Sequence, residues 1–307
     1  VATELITIVD FIRWGASRFN AARLTFGHGN DSAIDEATQL VLHTLHLPPD
    51  TPPVYAQSRV TQDERVALTA AFQRRIDERV PAAYITGEAW FAGLAFKVDR
   101  RVLIPRSPIA ELIESGFEPW LGGRTVRRVL DLCTGSGCIA IAMAHHQPHW
   151  QVDGGDISAA AVELAQENAR EHGVEARCRI VVSDLFQGFR GERYDLIVSN
   201  PPYVPAADVP KLPREYGFEP AFGLAAGDDG LDFALRILAA AADHLTERGL
   251  LVVEVGDSDA ALTALFPDVE FAWVEFKVGP MGVFVLDREQ LVRHRAAFAA
   301  EAAKRSR

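Results

Sequence analysis

The chain has 307 residues, 48% of them hydrophobic and 24% charged, with a formal net charge of −11. Such a length and hydrophobic share describe a globular protein of one large or two ordinary domains with a sizeable core. No apolar run approaches the roughly 18 residues that a membrane span needs, and residues 1–10 lack a basic start with an apolar stretch, so a soluble, cytoplasmic protein is expected. The acidic excess is uneven: residues 1–107 hold 12 acidic and 12 basic side chains, and the remainder 30 and 19. A basic stripe of the kind that grips nucleic acid is not evident, whereas a basic protein partner suits the charge. Cys133, Cys138 and Cys178 have no paired metal-ligand spacing, so reduced thiols and no metal are expected.

In chain order, Leu5, Ile8, Val9, Ile12 and Phe19 suggest one apolar helical stripe, and Ile34, Ala37, Leu40, Val41 and Leu45 a second. Pro48, Pro49, Pro52 and Pro53 break the chain. Thr61 followed by Glu64 predicts a capping box opening a third helix that runs toward Arg79, with Pro81 beyond it. Residues 84–102 are aromatic and β-branched, punctuated by Gly87 and Gly93, and read as a β-hairpin connector. Then come Ile104-Pro105-Arg106-Ser107-Pro108, a short helix and the Gly122-Gly123 break. These breaks predict a helical domain over 1–81, a hairpin and helix connector over 82–122, and a third unit over 123–307.

From Val126 the pattern alternates between strand and helix, which implies a mostly parallel, doubly wound sheet covered on both faces. Strands are predicted at 127–132, 151–156, 178–182, 194–199, 249–255, 270–277 and 282–286. Helices are predicted near 137–146, 159–172, 229–245, 258–265 and 288–303. The link Gly279-Pro280-Met281-Gly282 is too short for a parallel crossover, so the seventh and last strand should be antiparallel.

Asp131-Leu132-Cys133-Thr134-Gly135-Ser136-Gly137 follows a strand and opens a helix, which puts a glycine turn where an open α/β sheet binds its ligand. With Asp156 ending the next strand, the spacing also fits a nicotinamide enzyme. Against that reading, the carboxylate of Asp131 suits the ammonium of an amino-acid moiety, present in S-adenosylmethionine and missing from NAD, better than a pyrophosphate. Asp184 can accept from an adenine amine while the N–H of Leu185 reaches a ring nitrogen. Asn200-Pro201-Pro202-Tyr203 directly follows the strand 194–199. The side-chain oxygen of Asn200 can accept one N–H and the carbonyl of Pro201 a second, while Tyr203 offers a flat ring. This is a cage for a planar NH2 group. Methyl transfer from a sulfonium is an in-line displacement that needs alignment more than a base, so no metal is required.

Taken in order, the turn after Asp131, Asp156, Asp184 and the Asn200-Pro201-Pro202-Tyr203 run resemble the class I methyltransferases of the HemK type, which methylate glutamine side chains in proteins. The likeness covers essentially the whole chain. More narrowly, Arg13-Trp14, Ser17-Arg18-Phe19, Gly27-His28-Gly29, Asp35-Glu36-Ala37 and Pro105-Arg106-Ser107-Pro108-Ile109 are similar to the branch that acts on large-subunit ribosomal protein number three. Release-factor-modifying relatives carry Pro-Arg-Pro-Glu-Thr-Glu in place of the last of these. The chain departs from the family pattern at Asn30 and at Pro280-Met281, and its start at Val1 suggests trimming.

The resemblance implies a seven-stranded class I methyltransferase sheet behind a substrate-recognition domain of helices. It implies S-adenosylmethionine as cofactor, held by Asp131, Cys133, Thr134, Gly135, Gly137, Asp156, Asp184, Leu185 and Asn200. Catalysis would rest on Asn200, Pro201 and Tyr203, and the substrate would meet Pro202, Glu219 and Arg106 as well. Arg106 reads equally as a cofactor contact, a substrate guide or a linker ion pair, and His28 as a substrate contact or loop chemistry. His145, His146 and His149 read as a solvated helix end. The partner implied is a basic ribosomal protein. The rival readings are a release-factor methyltransferase, an adenine-amine methyltransferase working on a flipped base, and a non-catalytic assembly factor.

Overall fold

The computed structural model describes residues 4–30, 32–277 and 279–305; Val1 lies outside the described residues. Helix α1 (Ile8–Ala21) is opened by a capping box between Thr7 and Asp10, and α2 (Ala33–Thr44) by the side chain of Ser32. The predicted box between Thr61 and Glu64 opens α3 (Gln62–Gln73), whose continuation through a wider turn over Arg74–Glu78 stops at left-handed Arg79. A short α4 (Ala82–Thr86) follows. These helices enclose a core of Phe11, Phe19, Leu40, Val41, Leu68 and Phe72. Within α2 the buried face runs through Ala33, Ala37, Leu40 and Val41, and Ile34 is 48% exposed. The start at Ser32 sets that phase, and it turns Glu36 inward, where it meets Arg75.

Strands β1 (Glu88–Phe91) and β2 (Leu94–Lys97) form the predicted hairpin around Ala92 and Gly93, both with positive φ as a tight hairpin turn demands. After α5 (Ile109–Glu114) the sheet begins. Its strands are β3 (Arg128–Leu132), β4 (Gln151–Asp156), β5 (Cys178–Val182), β6 (Tyr194–Ser199), β7 (Leu245–Glu254), β8 (Ala272–Phe276) and β9 (Gly279–Asp287). They are ordered β5-β4-β3-β6-β7-β9-β8. Strands β3 to β7 run parallel, and β9 is antiparallel to both its neighbours.

The last strand in the sequence is thus inserted next to the edge, and β8 forms the edge itself. Its start also differs from expectation. Gly279 already pairs with Phe276, so the turn lies before the glycines. Gly282 sits inside β9 because the backbone of Gly256 passes so close that a Cβ there would lie 1.9 Å from a carbonyl oxygen. The side chain of Pro280, one of the two departures in that turn, lies outside the described residues.

Alternation within the strands feeds two cores. Val129, Leu196 and Val252 face α5, α6 (Cys138–His146) and α7 (Ala159–Glu171). Leu130, Ile197, Leu251 and Val253 face α8 (Asp232–His244), α9 (Asp259–Leu265) and α10 (Arg288–Arg305). The helical layer is bound to the long loop after β6 by a buried charge cluster. Fully buried Arg75 donates to Glu36 at 2.6 Å, to the Thr25 carbonyl at 2.9 Å and to Glu215 at 3.4 Å, and Arg79 and the Thr25 N–H also reach Glu215.

Candidate active site

Register decides where the site lies. Leu132 is paired with Gly155 on one side and Ser199 on the other, so Cys133, Asp156 and Asn200 leave the sheet at one level. Here the strand order reverses, the position at which open α/β sheets leave a crevice. A cavity of about 330 Å³ opens there, in the range of small-molecule sites.

One wall is the glycine turn, of which Cys133, Thr134 and Gly135 line the cavity. Cys133 has φ 59° and Gly135 φ 54°, and the turn is held by the N–H of Thr134 on the Gly155 carbonyl. Gly137, at φ 81°, lies outside the cavity wall, and a Cβ there would lie 2.9 Å from Ile141 and 3.0 Å from Ala165; glycine is what lets α6 seat on the sheet. Asp156 lines the cavity while its two oxygens accept from the N–H groups of Gly135 and Ser158, each at 2.9 Å. A carboxylate has further lone pairs, so it ties the turn down and still faces outward.

Asp131 is placed differently from the expectation that it reaches the cavity. It is fully buried beneath the turn, where Oδ2 accepts from Thr134 Oγ1 at 2.5 Å and from the Ala140 N–H at 3.2 Å. Its Oδ1 is buried with no hydrogen-bond partner among the described residues, and burial pushes the carboxyl up to about 7.

Asp184 and Leu185 line the cavity's far end, Leu185 at φ 49°. Asp184 is engaged by Arg236 from α8, with both carboxylate oxygens at 2.7 Å from one guanidinium nitrogen.

Asn200, Pro201, Pro202 and Tyr203 all border the same cavity. The Asn200 side chain makes no hydrogen bond to another described residue, and neither does the Pro201 carbonyl, so the two acceptors of the cage are both available. Tyr203 donates to Glu254 Oε1 at 3.0 Å, and its ring lies against Gly256, where a Cβ would come within 2.6 Å.

Arg106 also lines the cavity, with its guanidinium paired bidentately to Glu219 at 2.5 and 2.8 Å and lying 5.3 Å from the centre of the Tyr216 ring. Of the three roles open to Arg106, the structure thus contains the ion pair. Glu219 is buried behind this wall, accepts also from the Ile104 N–H, and braces the 104–106 segment without reaching the cavity. His28 is buried with both ring nitrogens unpartnered, 3.8 Å from Glu219 and tilted on the Tyr216 ring; burial drives it down to about 4, so it is neutral. It is packing for the cavity wall from the helical layer. His146, at the end of α6, bonds the Ala92 carbonyl.

A family model described as "Methyltransferase small domain" matches residues 119–212. The chain is 62% identical over 296 residues to the ribosomal protein uL3 glutamine methyltransferase of Xanthomonas campestris pv. campestris, covering 96% of each chain. It is 60% identical over 307 residues to the protein of the same name from Xylella fastidiosa (strain Temecula1), covering 99% of this chain and 97% of that one. The chain belongs to the uL3 glutamine methyltransferase family. It is an enzyme of the class I methyltransferase fold, a fold also seen in the catalytic domain of hMettl16 solved with the MAT2A 3′UTR hairpin 1, at TM-score 0.50 and 18% identity over 75% of this chain and 83% of that one.

In this uL3 methyltransferase family member, Ser107, Arg236 and Glu254 belong to the site's surroundings; Ser107 is expected only as part of the 105–109 motif, and Arg236 and Glu254 are not among the residues expected there. Glu254 alone had a legible signal, since it is a lone carboxylate closing the apolar run 250–253 at the same sheet edge as Asp131. Ser107 and Arg236 acquire their roles only through partners 147 and 52 residues away.

Proposed function

We propose that this enzyme transfers a methyl group from S-adenosylmethionine to the side-chain amide nitrogen of a glutamine in ribosomal protein uL3. The observation that carries the reading is the pair of free acceptors at Asn200 and Pro201 bordering the same cavity as the glycine turn. The residues present fit the cofactor. Beneath the turn, the buried and unmatched Oδ1 of Asp131 supplies a negative charge that an ammonium in the cavity would feel without touching it; Asp156 has lone pairs for ribose hydroxyls; and Asp184 with Leu185 suits an adenine edge. When bound, the cofactor supplies an electrophilic methyl group on a sulfonium, whose S–CH3 bond breaks to leave a neutral thioether.

The protein's part is alignment. Asn200 and the Pro201 carbonyl accept the two N–H bonds of the target carboxamide and hold its plane fixed. As the amide nitrogen becomes positive these acceptors strengthen, which would lower the barrier without a general base; the methylated amide would lose its extra proton to water afterwards. The Tyr203 ring packs beside the amide, and Pro202 stiffens the segment. The proposed division has a substrate-recognising helical layer (1–81), a connector (82–122) and a catalytic unit (123–307), with Glu215 joining the first to the last. Supporting this division, the helices of the first segment have a core of their own. The acidic surplus fits a basic protein substrate and not stable binding to nucleic acid, and the reading places the enzyme in the cytoplasm. Among the described residues no helix is long and apolar enough to cross a membrane.

The test offers labelled methyl donor with undermethylated uL3, RNA and DNA separately, followed by mass spectrometry of uL3 peptides. One added methyl on a glutamine is expected, and Asn200→Ala should abolish it while adenosylhomocysteine still binds. Label found in nucleic acid alone refutes the proposal.

A further inference from the structure

Glu254 occupies a position where an apolar residue would cost less. It ends β7 after Leu250, Leu251, Val252 and Val253, it is 3% exposed, and among the described residues no cation pairs with it directly. Among the described residues its side-chain partners are hydroxyls alone: Tyr203 Oη on Oε1 at 3.0 Å and Ser107 Oγ on Oε2 at 2.5 Å. A buried carboxyl without an ion-pair partner is costly to folding, so its presence asks for a return elsewhere.

The two hydroxyls come from different segments, one from the 104–108 linker and one from the loop after β6. Tyr203 and Ser107 both line the cavity, whereas Glu254 stands behind it and bridges them. Ser107 also accepts from the Ile109 N–H at 3.2 Å, so the bridge extends to the start of α5. Around Tyr203 the packing is tight. A Cβ on Gly256 would lie 2.6 Å from the ring, and one on Gly230 would lie 2.1 Å from the Tyr203 carbonyl oxygen. Ser258 Oγ donates to the Asp229 carbonyl at 2.9 Å and lies 3.4 Å from that of Tyr203. Backbone and ring faces are thereby confined, and the hydroxyl's partner decides where the ring points.

We infer that Glu254 is a positioning residue for methyl transfer, setting the Tyr203 ring beside the amide cage and holding the 105–108 wall at a fixed distance from it. This rests on the function proposed above. It predicts a loss in turnover out of proportion to any loss in cofactor affinity, because Glu254 touches neither reactant.

The experiment compares wild type, Glu254→Gln, Glu254→Ala, Tyr203→Phe and the Glu254→Ala/Tyr203→Phe double variant. Displacing an aligned group by about 1 Å costs on the order of 100-fold, so kcat on undermethylated uL3 should fall about 100-fold in Glu254→Ala and less in Glu254→Gln, which retains one acceptor. The adenosylhomocysteine Kd should stay within about threefold. If the effect runs through the tyrosine, the double variant is no slower than Glu254→Ala. A second arm needs no methyl acceptor: NMR of the ¹³C-labelled Tyr203 ring in the adenosylhomocysteine complex should show one sharp set of ring signals in wild type and displaced or exchange-broadened ones in Glu254→Ala. Unchanged kcat or unchanged ring signals in a folded Glu254→Ala protein overturns the inference, and additive losses in the double variant overturn the route through Tyr203. Should Glu254→Ala not fold, the isosteric Glu254→Gln carries both arms. Failure of wild type to methylate uL3 would sink the proposed function, while the ring measurement still judges whether Glu254 sets the ring.

Discussion

Replacing Asp131 by asparagine should make the empty protein more stable and its cofactor site weaker, two effects of opposite sign from one buried charge. Burial raises this carboxyl from an ordinary 3.8 to about 7, so the folded state holds the proton more tightly than the unfolded chain. The penalty for ionising it is absent below about pH 4, grows as pH rises, and is complete above about pH 7. There it amounts to about 4 kcal/mol, at 1.36 kcal/mol per pKa unit. Asparagine can keep its oxygen toward Thr134 and Ala140 and put its NH2 where Oδ1 has no partner. It pays about 1–3 kcal/mol for burying that amide, leaving a net gain on the order of 2 kcal/mol at pH 8.

In a chain of this size, that gain is a rise of several degrees in Tm, at about 2–4 °C per kcal/mol. An ammonium in the cavity, however, loses the field of that buried charge, on the order of 1–3 kcal/mol at an effective dielectric of about 20, or roughly 10- to 100-fold in affinity. Wild type must shed the proton to bind, so its own affinity should fall about tenfold for each pH unit below 7, and the gap to the variant should narrow by pH 6. Thermal melts of ligand-free protein and calorimetry with adenosylhomocysteine at pH 6 and pH 8 measure both. A variant that binds as tightly as wild type at pH 8, or a wild-type affinity flat across that range, would refute the assignment of Asp131 to the ammonium.

Arg75→Ala leaves the carboxylate of Glu36 buried without its cation, while Glu215 keeps Arg79 and the Thr25 N–H, and urea unfolding should report a loss of about 3–5 kcal/mol. Gly256→Ala forces a Cβ into the Tyr203 ring at a φ of +52°; turnover should drop about 100-fold with adenosylhomocysteine affinity nearly unchanged, and full activity would show that ring placement is irrelevant. Asp184→Ala removes an acceptor at the adenine end and should weaken adenosylhomocysteine binding by about tenfold in calorimetry, since a hydrogen bond to a charged group is worth about 1.5–3 kcal/mol.

Much of the catalytic unit was legible because its signals are local. The Asp131-to-Gly137 turn, the acids at the ends of β4 and β5 and the Asn200-to-Tyr203 tetrapeptide each announce themselves within seven residues, and the register then puts them side by side. The box at Thr61 and Glu64 was readable for the same reason. The core face of α2 is legible too, through Ala37, Leu40, Val41 and Leu45; only Ile34 falls outside it, its place being taken by Ala33 one residue earlier, after the cap at Ser32. Likewise the sequence puts the turn before β9 at Gly279 to Gly282, whereas Gly279 already pairs with Phe276 and Gly282 lets β9 pass the Gly256 backbone.

What the sequence by itself determined is the succession of strands and helices and the chemistry carried at each strand end, because periodicity and turn preference act over a few residues. Only the folded chain decided which charges meet: Arg106 with Glu219 across 113 residues, Arg75 with Glu215 across 140, and Glu254 with Ser107 across 147. Those pairings, the burial of Asp131 beneath its turn and the insertion of β9 beside the edge strand follow from packing two cores on one sheet. In that packing a buried polar group takes whatever partner the tertiary arrangement brings within reach, however distant in the chain.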